Sequence, residues 1–134
     1  MVKLVRKQEE GSSVRLEFEE LVSVCPLRGD KDRTDFQLDY VPGESDTRID
    51  LEKLQKYLAS LERTMKKEEG ILMEVIPMRI LEYCIEDCVN RGRNRYAAPK
   101  KMEIRSFSRS LEPERGKDWG IKANVEFDRD VVQV

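Results

Sequence analysis

From Ser13 onward, Val14, Leu16 and Phe18 alternate with Arg15, Glu17 and Glu19. A period of two marks a half-buried strand, here one that passes a bulge and ends at Cys25. Phe36, Leu38 and Tyr40 alternate with Gln37 and Asp39 and predict a second strand, stopped by Pro42-Gly43. The period then changes. Leu51, Leu54, Leu58, Leu61 and Met65 recur at helical spacing behind Asp50, a capping residue, and predict a helix from about Asp50 to Lys66. After "KKEEG", Leu72, Val75, Met78, Leu81, Ile85 and Cys88 form the apolar face of a second helix, which Pro77 either kinks or opens as its first turn. Met102, Ile104 and Phe107 suggest a third strand. Ile121, Ala123, Val125 and Phe127, alternating with Lys122, Asn124 and Glu126, give a fourth. The order ββααββ predicts an α+β layer: a four-stranded antiparallel sheet with two antiparallel helices on one face. Only the short termini read as linker.

Composition narrows this picture. With 134 residues and 39% hydrophobic content, the chain suits a single domain, 1–134, better than two. No apolar run is long enough to cross a bilayer, and "MVKLVRKQEE" lacks the apolar core of a secretory signal, so a soluble, cytoplasmic protein is expected. The net charge of −2 gives no global sign of nucleic-acid binding; any basic footprint must be local.

The candidate chemistry centres on "SVCPLRGDKDRTDFQLDYVP", Ser23 to Pro42. A thiol acts as a nucleophile only as the thiolate and needs a nearby cation or base. Arg28, Lys31 and Arg33 supply cations, and Asp30, Asp32 and Asp35 supply carboxylates able to move a proton. The chain has no histidine, which excludes a Cys-His pair, and its three cysteines lack the C-x-x-C spacing of a zinc site. On residue types alone, Cys25 reads as a small buried apolar residue in preference to a nucleophile. Cys84 and Cys88, four apart on the helix face, read as core, and Trp119 as an edge or interface residue.

From Cys25 to Pro42 the chain resembles, without a gap, the nucleophile region of the nitrile-processing QueF family, which reads approximately C-P-x-T-G-Q-P-D followed by an alternating strand ending in Y-[VI]-P. Cys25, Pro26, Gly29, Asp32, Tyr40, Val41 and Pro42 stand at the matching places. The resemblance implies the tunnelling fold, whose ββααββ subunits associate into barrels with sites between subunits, and so a homo-oligomeric ring, pentameric or decameric. It implies that Cys25 adds to the nitrile carbon of 7-cyano-7-deazaguanine to give a thioimide, and that Asp32 carries protons to and from the nitrile nitrogen. It lays Glu68 over the family's histidine and Glu69 over the glutamate that anchors the base, a carboxylate being suited to two adjacent N–H donors. "EDCVNR" offers Glu86 as a competing anchor, at the expense of a shorter second helix.

The reductase branch of that family carries a lysine-bearing motif at the start of the first helix. Here Glu52 and Gln55 replace both lysines, and Lys53 and Lys56 lie about 100° further around the helix. NADPH is therefore not expected. A thioimide that is not reduced is open to ammonia, which would yield an amidine; this resembles the QueF-like archaeosine synthases, amidinotransferases acting on 7-cyano-7-deazaguanine in tRNA. No metal or other cofactor is implied, only ammonia as co-substrate. For a tRNA substrate, Arg91, Arg93, Arg95, Lys100, Lys101, Arg105 and Arg109, against one acid, Glu103, form a candidate phosphate-contacting set, with Tyr96 placed to stack on a base. The alternatives are an NADPH-dependent reductase of the free base and a non-catalytic base- or RNA-binding oligomer. The sequence leaves open whether the base lies in tRNA, in DNA or free.

Overall fold

The computed structural model describes residues 1–63, 70–111 and 120–131. Five strands form one antiparallel sheet in sequence order: β1 (Lys3–Glu10), β2 (Ser13–Val24), β3 (Lys31–Val41), β4 (Lys101–Ser110) and β5 (Gly120–Asp128). Helices α1 (Leu51–Glu62) and α2 (Ile76–Gly92) lie between β3 and β4 in the chain. The α+β reading stands, with a correction: the sheet has five strands, and the N-terminal segment read as linker is β1. Its charged sequence, KLVRKQEE, packs almost nothing beyond a half-buried Leu4, as suits an edge strand. Gly11, at φ +61°, opens the two-residue turn that joins β1 to β2.

One face of the sheet is apolar because the inward positions of each strand carry the hydrophobic residues. Val14, Leu16, Phe18, Phe36, Leu38, Tyr40, Met102 and Ile104 form one core with Leu54 and Leu58 of α1 and Ile76, Ile80, Leu81, Cys84 and Cys88 of α2. Phe18 and Phe36, paired across β2 and β3, stack at 4.9 Å between ring centroids. Tyr57 and Tyr83 stack between the helices at 4.1 Å, and each hydroxyl donates to a carbonyl of the opposite helix. Asp50 caps α1 by accepting the Lys53 N–H at 3.1 Å. Pro77 sits in the first turn of α2, where its missing N–H is no loss, so it starts the helix and does not kink it. The turn before it, Met73–Val75, is 3-10. Helix α1 ends at Glu62; Met65 and Lys66, expected in its last turn, lie outside the described residues, as does Trp119. β3 starts at Lys31, five residues earlier than its apolar alternation indicates, because Asp32 and Thr34 take inward positions. No helix among the described residues is long and apolar enough to cross a membrane.

The bulge in β2 positions the site. Glu19 and Glu20 together oppose Asp35, so the register shifts between Phe18 and Leu21. Glu20 takes φ +67°, and its backbone N–H donates to the Asp35 carboxylate at 2.9 Å. Beyond the bulge, Leu21 and Ser23 pair with Thr34 and Asp32 on the buried face.

Candidate functional site

Cys25 follows the last residue of β2 and closes a tight turn. Its N–H donates to the Asp30 carbonyl at 2.8 Å, and its own carbonyl accepts the Gly29 N–H at 2.7 Å. Gly29 takes φ +77°, which an L side chain would disfavour there. This reciprocal pair lets β3 begin at once and brings Asp32 back beside the strand that leads to the thiol. Cys25 is 4% exposed and Asp32 fully buried.

Arg28 links the groups. It is hydrogen-bonded to the Cys25 side chain, which is the largest influence raising its own pKa, and the charges of Asp30 and Asp32 act in the same direction. Its Nε lies 3.6 Å from the buried Asp30 carboxylate. A guanidinium cannot lose its proton at ordinary pH, so Arg28 stands as a fixed cation beside the Cys25 sulfur. The other two cysteines are chemically different. Burial raises the Cys84 thiol pKa and raises that of Cys88 to about 11, although Arg91 beside Cys88 pulls it the other way. They are core, as their spacing indicates.

The buried face turns polar toward this end of the sheet. Ser23, Asp32 and Ser110 lie in one register row; Thr34 and Ser108 lie in the next and share a 2.7 Å hydrogen bond between hydroxyls. Ser23 and Ser106 are buried, and neither hydroxyl has a hydrogen-bond partner among the described residues. Sequence reasoning passed over these hydroxyls. Their signal was parity: Ser106, Ser108 and Ser110 continue the inward series begun by Met102 and Ile104.

Glu68 and Glu69 lie outside the described residues. The chain on either side of their segment is anchored to β2: Glu62 accepts the Val22 N–H at 3.1 Å, and Ile71 donates to the Val24 carbonyl at 3.0 Å. Gly70 lies so close to the Val24 carbonyl that a Cβ there would overlap it. Glu86 is exposed midway along α2.

The basic residues do not form one patch. Arg91 is tied into the fold, donating to Asp87 at 2.8 Å and to the Arg48 carbonyl at 2.6 Å. Arg93, Arg95 and Lys100 are exposed on the connection from α2 to β4. There the Arg95 guanidinium lies 4.7 Å from the Tyr96 ring centroid and Arg129 lies 5.4 Å from it. Lys101, Arg105 and Arg109 alternate along β4 on the sheet face away from the helices, where Arg105 pairs with Glu103 at 2.9 Å.

No protein-family model matches this sequence, and no curated protein matches it. Among solved structures, the chain is similar to the archaeosine synthase QueF-Like in its apo form, with a TM-score of 0.59 and 19% sequence identity over 88% of this chain and 95% of that one. At that identity the likeness is one of fold, and the protein described here has a QueF-like fold.

Proposed function

We propose that the protein is an amidinotransferase of the archaeosine-synthase type, converting the nitrile of 7-cyano-7-deazaguanine in tRNA to a formamidine with ammonia. The observation that carries this reading is the convergence of the Cys25 thiol, its hydrogen-bonded Arg28 and the buried Asp32 at one end of a sheet whose fold is shared with an archaeosine synthase.

In the first step the Cys25 thiolate attacks the nitrile carbon. A C–S bond forms, one C–N π pair moves to nitrogen, and a proton delivered by Asp32 completes a neutral thioimide. Ammonia then adds to the same carbon, and the Asp32 carboxylate, left ionised by the first step, takes a proton from the added nitrogen. The tetrahedral adduct collapses with expulsion of the Cys25 thiolate, which Arg28 receives as an anion, and the carbon keeps two nitrogens as an amidine. No electrons are transferred, so no nicotinamide enters the balance. The start of α1 supports this choice over reduction: Glu52 pairs with Lys56 at 3.4 Å and Lys53 with Asp87 at 3.6 Å, so both nearby lysines already face acids. Glu69, next to Gly70 in the sequence, is the proposed base anchor and Glu68 its neighbour. Arg93, Arg95 and Lys100, with Tyr96 beside them, are the proposed RNA contacts. Lys101 and Arg105 would reach RNA only from the opposite sheet face, and Arg91 serves the fold. Association into a pentameric or decameric ring, with sites completed between subunits, belongs to the same proposal.

Intact-protein mass spectrometry after incubation with free 7-cyano-7-deazaguanine tests it. A gain of one base mass in the wild type, absent in Cys25→Ala, establishes the thioimide, and its discharge by ammonium in the absence of NADPH establishes the second step. Discharge by NADPH alone would assign the reductase activity. Base binding without an adduct would mark a binding module.

A further inference from the structure

Ser23 is an anomaly in the sheet. It is 2% exposed, in an inward position of β2, and its hydroxyl has no hydrogen-bond partner among the described residues. A buried hydroxyl without a partner destabilises the folded state, and alanine would fit a strand there without that cost. The register places Ser23 directly opposite Asp32, so their Cβ atoms lie about 5 Å apart. Cys25 follows two residues later, roughly 6.6 Å along the chain. Ser106, the other buried hydroxyl without a partner among the described residues, pairs with Phe36, two register rows from Asp32, and has no carboxylate opposite it.

We propose that Ser23 is a catalytic hydrogen-bond donor, holding the nitrogen of the nitrile and then of the thioimide against Asp32. This rests on the reading that Cys25 attacks a nitrile. As the C–S bond forms, nitrogen gains an electron pair and takes a proton, ending with one N–H and one lone pair. Asp32, ionised once it has delivered its proton, accepts the N–H. The lone pair needs a donor, which a carboxylate cannot be, and the Ser23 O–H supplies it. The two groups together fix the plane of the thioimide and leave one face of its carbon for ammonia. A donor aimed at charge that develops during the reaction accelerates it most when it is shielded from water, and Ser23 is buried on a paired strand.

The test compares single-turnover adduct formation with free 7-cyano-7-deazaguanine, followed by intact mass, in the wild type, Ser23→Ala, Ser23→Thr and Ser23→Val, alongside thermal melting. Ser23→Ala is expected to melt at the wild-type temperature or above it and to form the adduct about 100-fold more slowly at saturating base. Threonine and valine have nearly the same shape and differ by the hydroxyl, so Ser23→Thr should exceed Ser23→Val by at least about tenfold in rate, a comparison that stands even if the alanine variant fails to fold. A purely structural role predicts the reverse for Ser23→Ala, a lower melting temperature with an unchanged rate. Wild-type rates in Ser23→Ala, or equal rates in the threonine and valine variants, overturn the role of Ser23 while the nitrile reading stands. No adduct in the wild type removes that reading and this role with it.

Discussion

The carboxylate of Glu62, the last residue of α1, accepts the backbone N–H of Val22 at 3.1 Å, three residues before Cys25. Its other oxygen takes the Val2 N–H at 2.9 Å, so one side chain fastens β2 and the residue before β1 to the end of a helix. Hydrogen bonds to a charged acceptor contribute more than neutral ones. Glu62→Ala should therefore destabilise the fold by about 2 kcal/mol, and Glu62→Gln, which keeps one acceptor oxygen, by less. The midpoint of urea unfolding reads the difference; equal midpoints for all three proteins would remove Glu62 from this role.

Arg28 gives a direct handle on the thiol. If its hydrogen bond favours the thiolate, Arg28→Ala should slow alkylation of Cys25 by iodoacetamide several-fold at neutral pH, and Arg28→Lys should recover part of the rate because it restores charge without the planar fork. Peptide mapping of the labelled protein assigns the site. An unchanged alkylation rate in Arg28→Ala would show that the cation does not control the nucleophile.

The three cysteines should separate under the same reagent. All three thiols are buried, but Cys84 and Cys88 sit in the core between helix and sheet with raised pKa values, whereas Cys25 opens a turn, so the native protein at pH 8 should label first at Cys25 and at the other two only after unfolding. The same shifts set a pH dependence. Between about 8.5, where a free thiol titrates, and about 11, where folded Cys88 does, the unfolded chain releases protons that the folded chain keeps. Stability is thus fully present below about 8.5 and falls as pH rises toward 11. Tyr40, Tyr57 and Tyr83, also raised by burial, act in the same direction. Urea midpoints at pH 7, 9 and 10.5 should decline in that order, and Cys88→Ala should flatten the decline.

The arginines should divide by function. Replacing Arg93, Arg95 and Lys100 together with alanine is expected to weaken tRNA binding and to reduce the slope of log affinity against log salt by roughly 2, the value for three lost phosphate contacts. Arg91→Ala should leave that slope alone and lower stability by about 1–2 kcal/mol, since its partners are Asp87 and a backbone carbonyl. Fluorescence anisotropy across a salt series distinguishes the two. A larger salt effect from Arg91→Ala than from the triple replacement would reverse the assignment.

The parts of this fold that were legible in the sequence are those where one face is apolar. The strands and helices around Leu16, Leu38, Leu58 and Leu81 follow from periodicity because burial selects those residues. β1 was not legible: an edge strand with one half-buried apolar residue has no alternation to read, and its only local signal is the glycine turn at Gly11. The start of β3 was hidden for the opposite reason, since the polar Asp32 and Thr34 occupy buried inward positions, and a pattern search counts them as surface. The return of Asp32 beside the strand that leads to Cys25 was suggested by motif resemblance alone, because nothing in local propensity says that the six residues 25–30 fold back on themselves. The basic run looked continuous in the chain, and the fold distributes it over a helix end, a connection and a strand face.

The acidic pair at the β2 bulge has a further consequence. Beyond Phe18 the strand offers two competing apolar stripes, Leu21 on one side and Val22 with Val24 on the other. Regular pairing without the bulge would turn Val22 and Val24 inward, an acceptable core, and would carry Ser23 and Cys25 to the opposite side of the sheet from Asp32. That arrangement would also turn Glu20 inward and strip its carboxylate of water, which is what disfavours it. Glu20 thus favours the bulged register, and a valine at that position would remove the penalty that sets the two registers apart.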